Sequence, residues 1–156
     1  MKTIFRPIVL VLLFLQSSFL YAQGNTEVKE GYNRFYYPNG SVSSEGTIRN
    51  GKPDGYWKTY FESGRIKSEG NRIEFKLDSL WKFYSDSGLV TAEYWYSSGV
   101  KNGPQKNYHP NGKLRSEEND SLGVLTGTGR YYREDGSLQK TIPYIKIGRA
   151  HVCTPV

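Results

Sequence analysis

The chain has 156 residues, a length that allows one modest domain or one short repeat array. Tyrosine (13 copies) and glycine (17 copies) are abundant, which favours strands and turns over helices. The formal net charge of the chain is +6. Residues 23–146 contain all 15 acidic residues but only 18 of the 21 basic ones, so their net charge is +3. This small excess argues against a nucleic-acid partner.

The first 22 residues have the pattern of a secretory signal peptide. Lys2 and Arg6 give a short basic start, and residues 8–15 form an unbroken apolar run. Ala22 then supplies a small residue at the cleavage site. The apolar run is far shorter than the ~20 residues that a membrane-spanning helix needs. We therefore predict cleavage after Ala22, export to the periplasm, cell surface or medium, and no transmembrane segment in the mature chain.

A 24-residue period follows a short leader at residues 23–30. Five kinds of residue recur in phase. The glycines are Gly40, Gly64, Gly88, Gly112 and Gly136, and the tyrosines four residues earlier are Tyr36, Tyr60, Tyr84, Tyr108 and Tyr132. The aliphatic residues are Val42, Ile66, Val90, Leu114 and Leu138, the glutamates are Glu45, Glu69, Glu93 and Glu117, and the basic residues are Arg34, Lys58, Lys82, Lys106 and Arg130. The unbroken phase predicts about five repeats over residues 31–146.

Each period predicts two short strands and two turns. Pro38-Asn39-Gly40 at the first turn suits a type I turn closed by a left-handed glycine. Second turns are expected at Asn50-Gly51 and at Asn102-Gly103, whereas residues 74–79 lack an Asn-Gly pair. The predicted fold is all-β: an elongated, single-layer antiparallel sheet of successive β-hairpins.

Two registers of the first turn are open at this point. A three-residue loop pairs Tyr60 with Ile66 and puts the recurring tyrosine and aliphatic residues on one face. A two-residue loop instead pairs Lys58 with Glu69 and repeats that ion pair along the sheet. The three-residue loop is preferred, because proline lacks the N–H that the other loop would use and because an exposed Lys–Glu pair is worth less than ~1 kcal/mol.

The best-formed unit, GYWKTYFESGRIKSEG at residues 55–70, resembles the MORN-variant repeat, which occurs in the YwqK-like antitoxin family and in many exported bacterial proteins. The resemblance covers the whole predicted array and implies an antiparallel sheet of successive hairpins. Repeats two and three match best, through Trp57-Lys58 and Trp81-Lys82. In place of the tryptophan, repeats four and five have Gln105 and Gly129.

The last ten residues, 147–156, break the repeat pattern. Their sequence IGRAHVCTPV resembles a translated sequencing adapter with Cys153 at the position of a stop codon. We expect a non-biological tail and a natural reading frame that continues beyond Lys146. Cys153 is the chain's one cysteine, so residues 23–146 need no disulfide and fit an oxidising compartment.

No pattern in residues 23–146 points to an enzyme. His109 is the one histidine in that range and occupies a variable position beside a turn. A catalytic nucleophile needs a base within reach, and no such pair is indicated. The recurring glutamates would lie two strands apart, about 10 Å, which is too wide for a retaining glycosidase and marginal for an inverting one. We predict no catalytic residue, no metal site and no cofactor.

The aromatic residues are the candidate binding residues. A single-layer sheet offers few places to bury them, so they both pack the sheet and present rigid contact area to a sugar or a peptide. The candidates are Trp57, Trp81, Trp95, Tyr36, Tyr60, Tyr84, Tyr108 and Tyr132. Binding is expected to concentrate on repeats two and three, which keep Trp57 and Trp81, with Trp95 beside Trp81 on the return strand.

The predicted function is that of an exported, non-enzymatic repeat scaffold for interaction with a protein or an envelope glycan. The alternative is an antitoxin-like protein that neutralises a partner protein, as the name of the resembling family implies. An antitoxin acts in the cytoplasm, where its toxin is made, so the predicted signal peptide counts against this alternative.

Overall fold

The computed structural model describes residues 28–144, so the signal peptide and the C-terminal tail predicted above lie outside the described residues. The ten strands are β1 (Gly31–Tyr36), β2 (Val42–Arg49), β3 (Lys52–Tyr60), β4 (Ile66–Ile73), β5 (Lys76–Tyr84), β6 (Val90–Ser97), β7 (Val100–Tyr108), β8 (Leu114–Ser121), β9 (Val124–Tyr132) and β10 (Leu138–Tyr144). Each strand pairs antiparallel with its neighbours in sequence, which confirms the predicted all-β sheet of successive hairpins. Between residues 28 and 144, no helix could cross a membrane.

The first turn of each repeat is the predicted three-residue loop. At Pro38-Asn39-Gly40, the amide N–H of Tyr37 donates to the carbonyl of Ser41 over 2.8 Å, and that of Gly40 donates to the carbonyl of Tyr37 over 2.9 Å. The same pair of bonds closes the loops at Gly64, Gly88, Gly112 and Gly136. These glycines have φ between 81° and 93°, a left-handed conformation that costs other residues ~1–2 kcal/mol.

A β-bulge makes the two candidate registers compatible. Tyr60 pairs with Ile66 next to the loop, as the three-residue loop requires. Lys67 is then an extra residue, so that further along the strand Lys58 pairs with Glu69. Both pairings therefore occur in one hairpin. The same shift of register occurs in all five hairpins.

The second turn of each repeat is a two-residue turn with both residues at positive φ, as in type I′ turns. These turns are Asn50-Gly51, Glu74-Phe75, Ser98-Gly99 and Leu122-Gly123. The turn expected at Asn102-Gly103 is therefore wrong, because both residues lie inside β7. Gly103 has φ of 120° at a bulge of that strand, and a bulge can require positive φ as a turn does. The in-phase residues at the corresponding bulges are Gly55, Ser79 and Gly127.

One face of the sheet, which we call the tryptophan face, carries the core. Trp57 and Trp81 lie there, 6% and 2% exposed. Each ring covers a glycine of the preceding strand: a Cβ on Gly46 would come within 2.4 Å of the Trp57 ring, and one on Gly70 within 2.5 Å of the Trp81 ring. The core cluster consists of Ile48, Trp57 and Trp81, with Phe35, Leu77, Phe83 and Tyr96 packed against it.

Repeat four has no tryptophan at this position but keeps the hydrogen bond that the tryptophan makes in repeats two and three. The indole N–H of Trp81 donates to the carbonyl of Asn71 over 2.8 Å. In repeat four the Gln105 side-chain amide donates to the in-phase carbonyl of Trp95 over 3.2 Å. Gln105 is 2% exposed, so a polar side chain replaces the indole at a buried position without changing the pairing of the strands.

Candidate functional site

The opposite face, which we call the charged face, carries a continuous row of alternating charges. The strand register places a glutamate beside each recurring basic residue. The row is Arg34, Glu45, Lys58, Glu69, Lys82, Glu93, Lys106, Glu117 and Arg130, and it ends at Thr141 on β10. Three of its ion pairs are Arg34–Glu45 at 2.8 Å, Lys82–Glu93 at 3.6 Å and Arg130–Glu117 at 3.1 Å. The basic side chains are largely exposed, so each pair contributes less than ~1 kcal/mol.

The recurring tyrosines lie on the charged face and bind the glutamates of the preceding repeat. The hydroxyl-to-carboxylate bonds are Tyr60–Glu45 at 2.5 Å, Tyr84–Glu69 at 2.6 Å, Tyr108–Glu93 at 2.9 Å and Tyr132–Glu117 at 2.8 Å. Tyr36, which begins the series, is 60% exposed. Four of the five candidate tyrosines therefore have a hydroxyl already committed to joining consecutive repeats.

Two of these bonds lower the pKa of a glutamate in the row. The hydrogen bond from Tyr60 holds the pKa of Glu45 below its usual value, and the bond from Tyr132 does the same for Glu117. Burial, and then its hydrogen bond to a glutamate, raise the pKa of Tyr108 to about 12. The raised pKa of Tyr60 and of Tyr132 then keeps each phenol neutral as it donates to the charged carboxylate of Glu45 or Glu117. No group of three His, Cys, Asp or Glu side chains that could hold a metal ion occurs in residues 28–144.

The three candidate tryptophans divide between the two faces. Trp57 and Trp81 are buried on the tryptophan face, and their burial favours a packing role; a binding role for them stays a prediction. Trp95 pairs with Leu80, the neighbour of Trp81 along β5, and therefore lies on the charged face. It is 43% exposed. Trp95 and Trp81 are consequently on opposite sides of the sheet rather than beside each other.

Trp95 lies on the charged face beside two other apolar residues, the half-buried Leu80 and the exposed Pro104, and we call these three residues the aromatic strip. They belong to β5, β6 and β7. Leu80, Trp95 and Pro104 line a shallow cavity of about 310 Å³ together with Glu93 and Lys106. An apolar surface thus adjoins a carboxylate and an ammonium group, the combination that suits a ligand with both apolar and polar groups.

Sequence reasoning named Trp95 but missed its neighbours Leu80 and Pro104. A signal was present in the periodicity. The positions in phase with Trp95 in the adjacent repeats are Asn71 and Asn119, so a polar residue is replaced by a tryptophan in repeat three. A large exposed aromatic residue where both adjacent repeats have asparagine indicates a role other than packing.

The observed architecture, one open sheet of ten sequential strands with a 24-residue repeat, is that of a repeat-built scaffold. The MORN repeat variant model matches residues 29–50, 53–73, 101–119 and 125–146, more than half of the chain. The chain therefore belongs to the MORN repeat variant family, whose repeats typically serve binding and scaffolding and form no known class of enzyme. No curated protein matches the chain.

The family match leaves residues 74–100 uncovered, although the structure repeats there without interruption. The expectation that repeat three, with Trp81-Lys82, is one of the two best-matching repeats is therefore wrong. Hairpin β5–β6 occupies this segment and has the same loop, bulge and charge pairing as its neighbours. It also contains Leu80 and Trp95. The hairpin whose sequence departs from the family pattern is thus the one that supplies the centre of the aromatic strip.

Proposed function

We propose that this protein is an exported, non-enzymatic scaffold that binds a protein or an envelope glycan through the aromatic strip on its charged face. The observation that carries the proposal is the exposure of Trp95 beside Leu80 and Pro104, at a position that is asparagine in the neighbouring repeats. Exposed tryptophans with apolar neighbours commonly supply most of the energy of a contact. The surrounding alternating charges would orient the partner.

The proposed export is supported by the N-terminal sequence, with its basic start, its apolar run at residues 8–15 and the small residue Ala22. N-terminal sequencing of the protein from fractionated cells tests it. We expect the mature chain to begin at Gln23 and to be found outside the cytoplasm. Soluble cytosolic protein that retains Met1 would contradict export.

The binding role is tested by comparing two in-phase variants. The exported protein is used as bait against an envelope extract, the captured partner is purified, and its Kd is measured. Trp95→Ala is expected to weaken binding ~30-fold or more, which is about 2 kcal/mol. Thr47→Ala, at the in-phase position on β2 and away from the aromatic strip, is the matched control and should leave the Kd unchanged.

Thermal melts of both variants accompany the titrations, because a loss of folded protein would also weaken apparent binding. Unchanged affinity of Trp95→Ala at an unchanged Tm would remove the aromatic strip from the proposal. Capture of a specific partner from the cytosol, and not from the envelope, would favour the antitoxin-like alternative over an exported scaffold.

A further inference from the structure

The tryptophan face has a cavity near its first-turn edge, between hairpins β5–β6 and β7–β8. Its volume is about 430 Å³, within the range of small-molecule sites. We call it the Ser85 pocket. Its polar lining includes Ser85, Ser87, Tyr94, Asn107, His109 and Arg115.

The pocket exists because Ser85 is small where other repeats have a large residue. The in-phase Tyr37 donates its hydroxyl to the carbonyl of Tyr60 in the next hairpin over 2.7 Å. The in-phase His109 places its Nε2 atom 2.9 Å from the carbonyl oxygen of Tyr132 in the same way. The Ser85 hydroxyl instead bonds within its own turn, to Ser87 at 2.7 Å. The space that a bridging side chain fills elsewhere is therefore open here.

The pocket is positively charged. Arg115 lines it, and no aspartate or glutamate does. No salt bridge engages Arg115 among residues 28–144. Burial raises the pKa of the Tyr94 phenol, the charge of Arg115 opposes that shift, and the charge of Glu118, which does not line the pocket, adds to it. A free guanidinium at one side of a cavity favours an anionic ligand.

The lining also has groups that suit a sugar ring. The Tyr94 hydroxyl donates to Asn107 Oδ1 over 2.5 Å, and Asn107 Nδ2 donates to Ser116 Oγ over 3.0 Å, so the amide is held in one orientation. Leu89 and Pro110 add apolar surface against which the C–H groups of a ring can pack. A cavity confined to one junction between hairpins fits a single ring better than an extended peptide, which binds along a strand edge or groove.

We propose that the Ser85 pocket binds a carboxylate-bearing sugar residue, a uronic acid, with Arg115 paired to the carboxylate. The planar guanidinium matches a carboxylate in a bidentate pair, and the second N–H of Asn107 Nδ2 and the serine hydroxyls are the groups of the lining that would bond to ring hydroxyls. This inference deepens the glycan alternative of the proposed function and rests on that binding role. It uses different residues, on the opposite face from the aromatic strip.

The test uses the exported protein and three probes: D-glucuronate, D-glucose and acetate, titrated by calorimetry or by NMR. D-Glucuronate should bind, and D-glucose and acetate should each bind at least ~10-fold more weakly, because each lacks half of the recognised groups. Equal binding of acetate and glucuronate would show an anion site without sugar recognition and overturn the proposal. Absence of glucuronate binding would overturn it as well.

Variants locate the site. Ser85→Tyr introduces the residue that stands in phase at position 37, so it should fill the pocket, abolish glucuronate binding and preserve the fold. Arg115→Ala should weaken binding at least ~10-fold and serves as the second variant if Ser85→Tyr lowers the Tm. Lys67→Ala, in phase with Arg115 but outside the pocket, is the matched control. Unchanged glucuronate binding in Ser85→Tyr would overturn the assignment to this pocket.

The same titrations separate this inference from the proposed function. Trp95→Ala should leave glucuronate binding unchanged, because Trp95 lies on the other face. Partner binding that depends on Trp95, together with no glucuronate binding, would sink the pocket and leave the scaffold proposal standing. Glucuronate binding without any Trp95-dependent partner would remove the aromatic strip from the proposed function and leave the Ser85 pocket as its glycan-binding site.

Discussion

Hairpins β3–β4 and β5–β6 share one frame and present different surfaces. Each has a buried tryptophan over a glycine, a Lys–Glu pair across its strands, and a tyrosine bound to the glutamate of the preceding repeat. Four of the in-phase positions at which they differ are Phe61 and Ser85, Lys67 and Thr91, Gly70 and Tyr94, and Asn71 and Trp95. The first two differences help to open the Ser85 pocket, and the last supplies the aromatic strip.

The difference shows that the residues that pair the strands and the residues that form the exposed surface can vary independently in this repeat. Each pairing residue has a partner on both neighbouring strands, as Glu69 has in Lys58 and Lys82. The strand pairing therefore continues when residues at other positions differ. Ser85 and Trp95 lie outside that frame, at the loop and on the exposed face. Hairpin β5–β6 therefore contains residues of two candidate sites and keeps the same strand register as its neighbours. Its sequence is also the one that the family model does not match.

The largest expected effect separates the buried tryptophans from the exposed one. Trp81→Ala and Trp57→Ala should each lower the free energy of unfolding by about 3–5 kcal/mol, because each leaves a cavity in the core cluster. Trp95→Ala should lower it by less than ~1 kcal/mol, since that ring is exposed. Urea denaturation of the three variants measures the comparison. An unchanged stability of Trp81→Ala with weakened partner binding would instead make Trp81 a binding residue.

The next effect concerns the bond that joins hairpin β3–β4 to its predecessor. Tyr60→Phe removes the hydroxyl that lowers the pKa of Glu45. The free energy of unfolding should therefore fall by about 1 kcal/mol at neutral pH. A carboxyl whose pKa is lowered by folding stabilises the fold above its unfolded pKa, and this contribution is lost as pH falls through the folded value. The difference from wild type should therefore be constant above about pH 5 and shrink below about pH 4.

Thermal melts between pH 7 and pH 3 measure this difference. Tyr36→Phe is the matched control, because Tyr36 occupies the in-phase position and makes no hydrogen bond to a glutamate within residues 28–144. A Tyr60→Phe deficit that persists undiminished at pH 3 would show that the hydroxyl acts through packing and not through the Glu45 charge.

The smallest expected effect lies in the turn that connects the two hairpins. Glu74 has φ of 46°, a left-handed conformation that asparagine adopts more readily than glutamate, and the in-phase residue is Asn50 with φ of 50°. Glu74→Asn should therefore raise the free energy of unfolding by about 0.5 kcal/mol, and Asn50→Glu should lower it by a similar amount. Urea denaturation checks both. Opposite signs would mean that side-chain contacts, not backbone conformation, decide at these positions.

Much of the fold follows from short-range patterns. The Pro-Asn-Gly triplet ending at Gly40 and its in-phase counterparts mark the loops, because a left-handed glycine is a local steric requirement. The period of 24 then places the strands. The interpretation failed at Asn102-Gly103, since a bulge inside a strand needs positive φ just as a turn does and the two are alike in sequence.

The candidate sites could be predicted from the sequence only in part. The residue type does not distinguish Trp81 from Trp95, and the two lie on opposite faces because Trp95 pairs with Leu80 and not with Trp81. The Ser85 pocket was missed because its cause is an absent bridge between residues 23 positions apart in other repeats. A serine beside a turn is common in sequences, and its small size matters here only because the in-phase Tyr37 bonds to the next hairpin.

The sequence by itself determined the number of repeats within residues 31–144, the type of the first turn and the order of the strands, because a turn forces neighbouring segments to pair. Only the tertiary structure decided that Tyr60–Ile66 and Lys58–Glu69 pairs coexist, which the bulge at Lys67 permits. It also decided which aromatic rings are buried. A bulge shifts every later side chain in its strand relative to the partner strand, so the composition of the faces depends on long-range pairing and not on local preference.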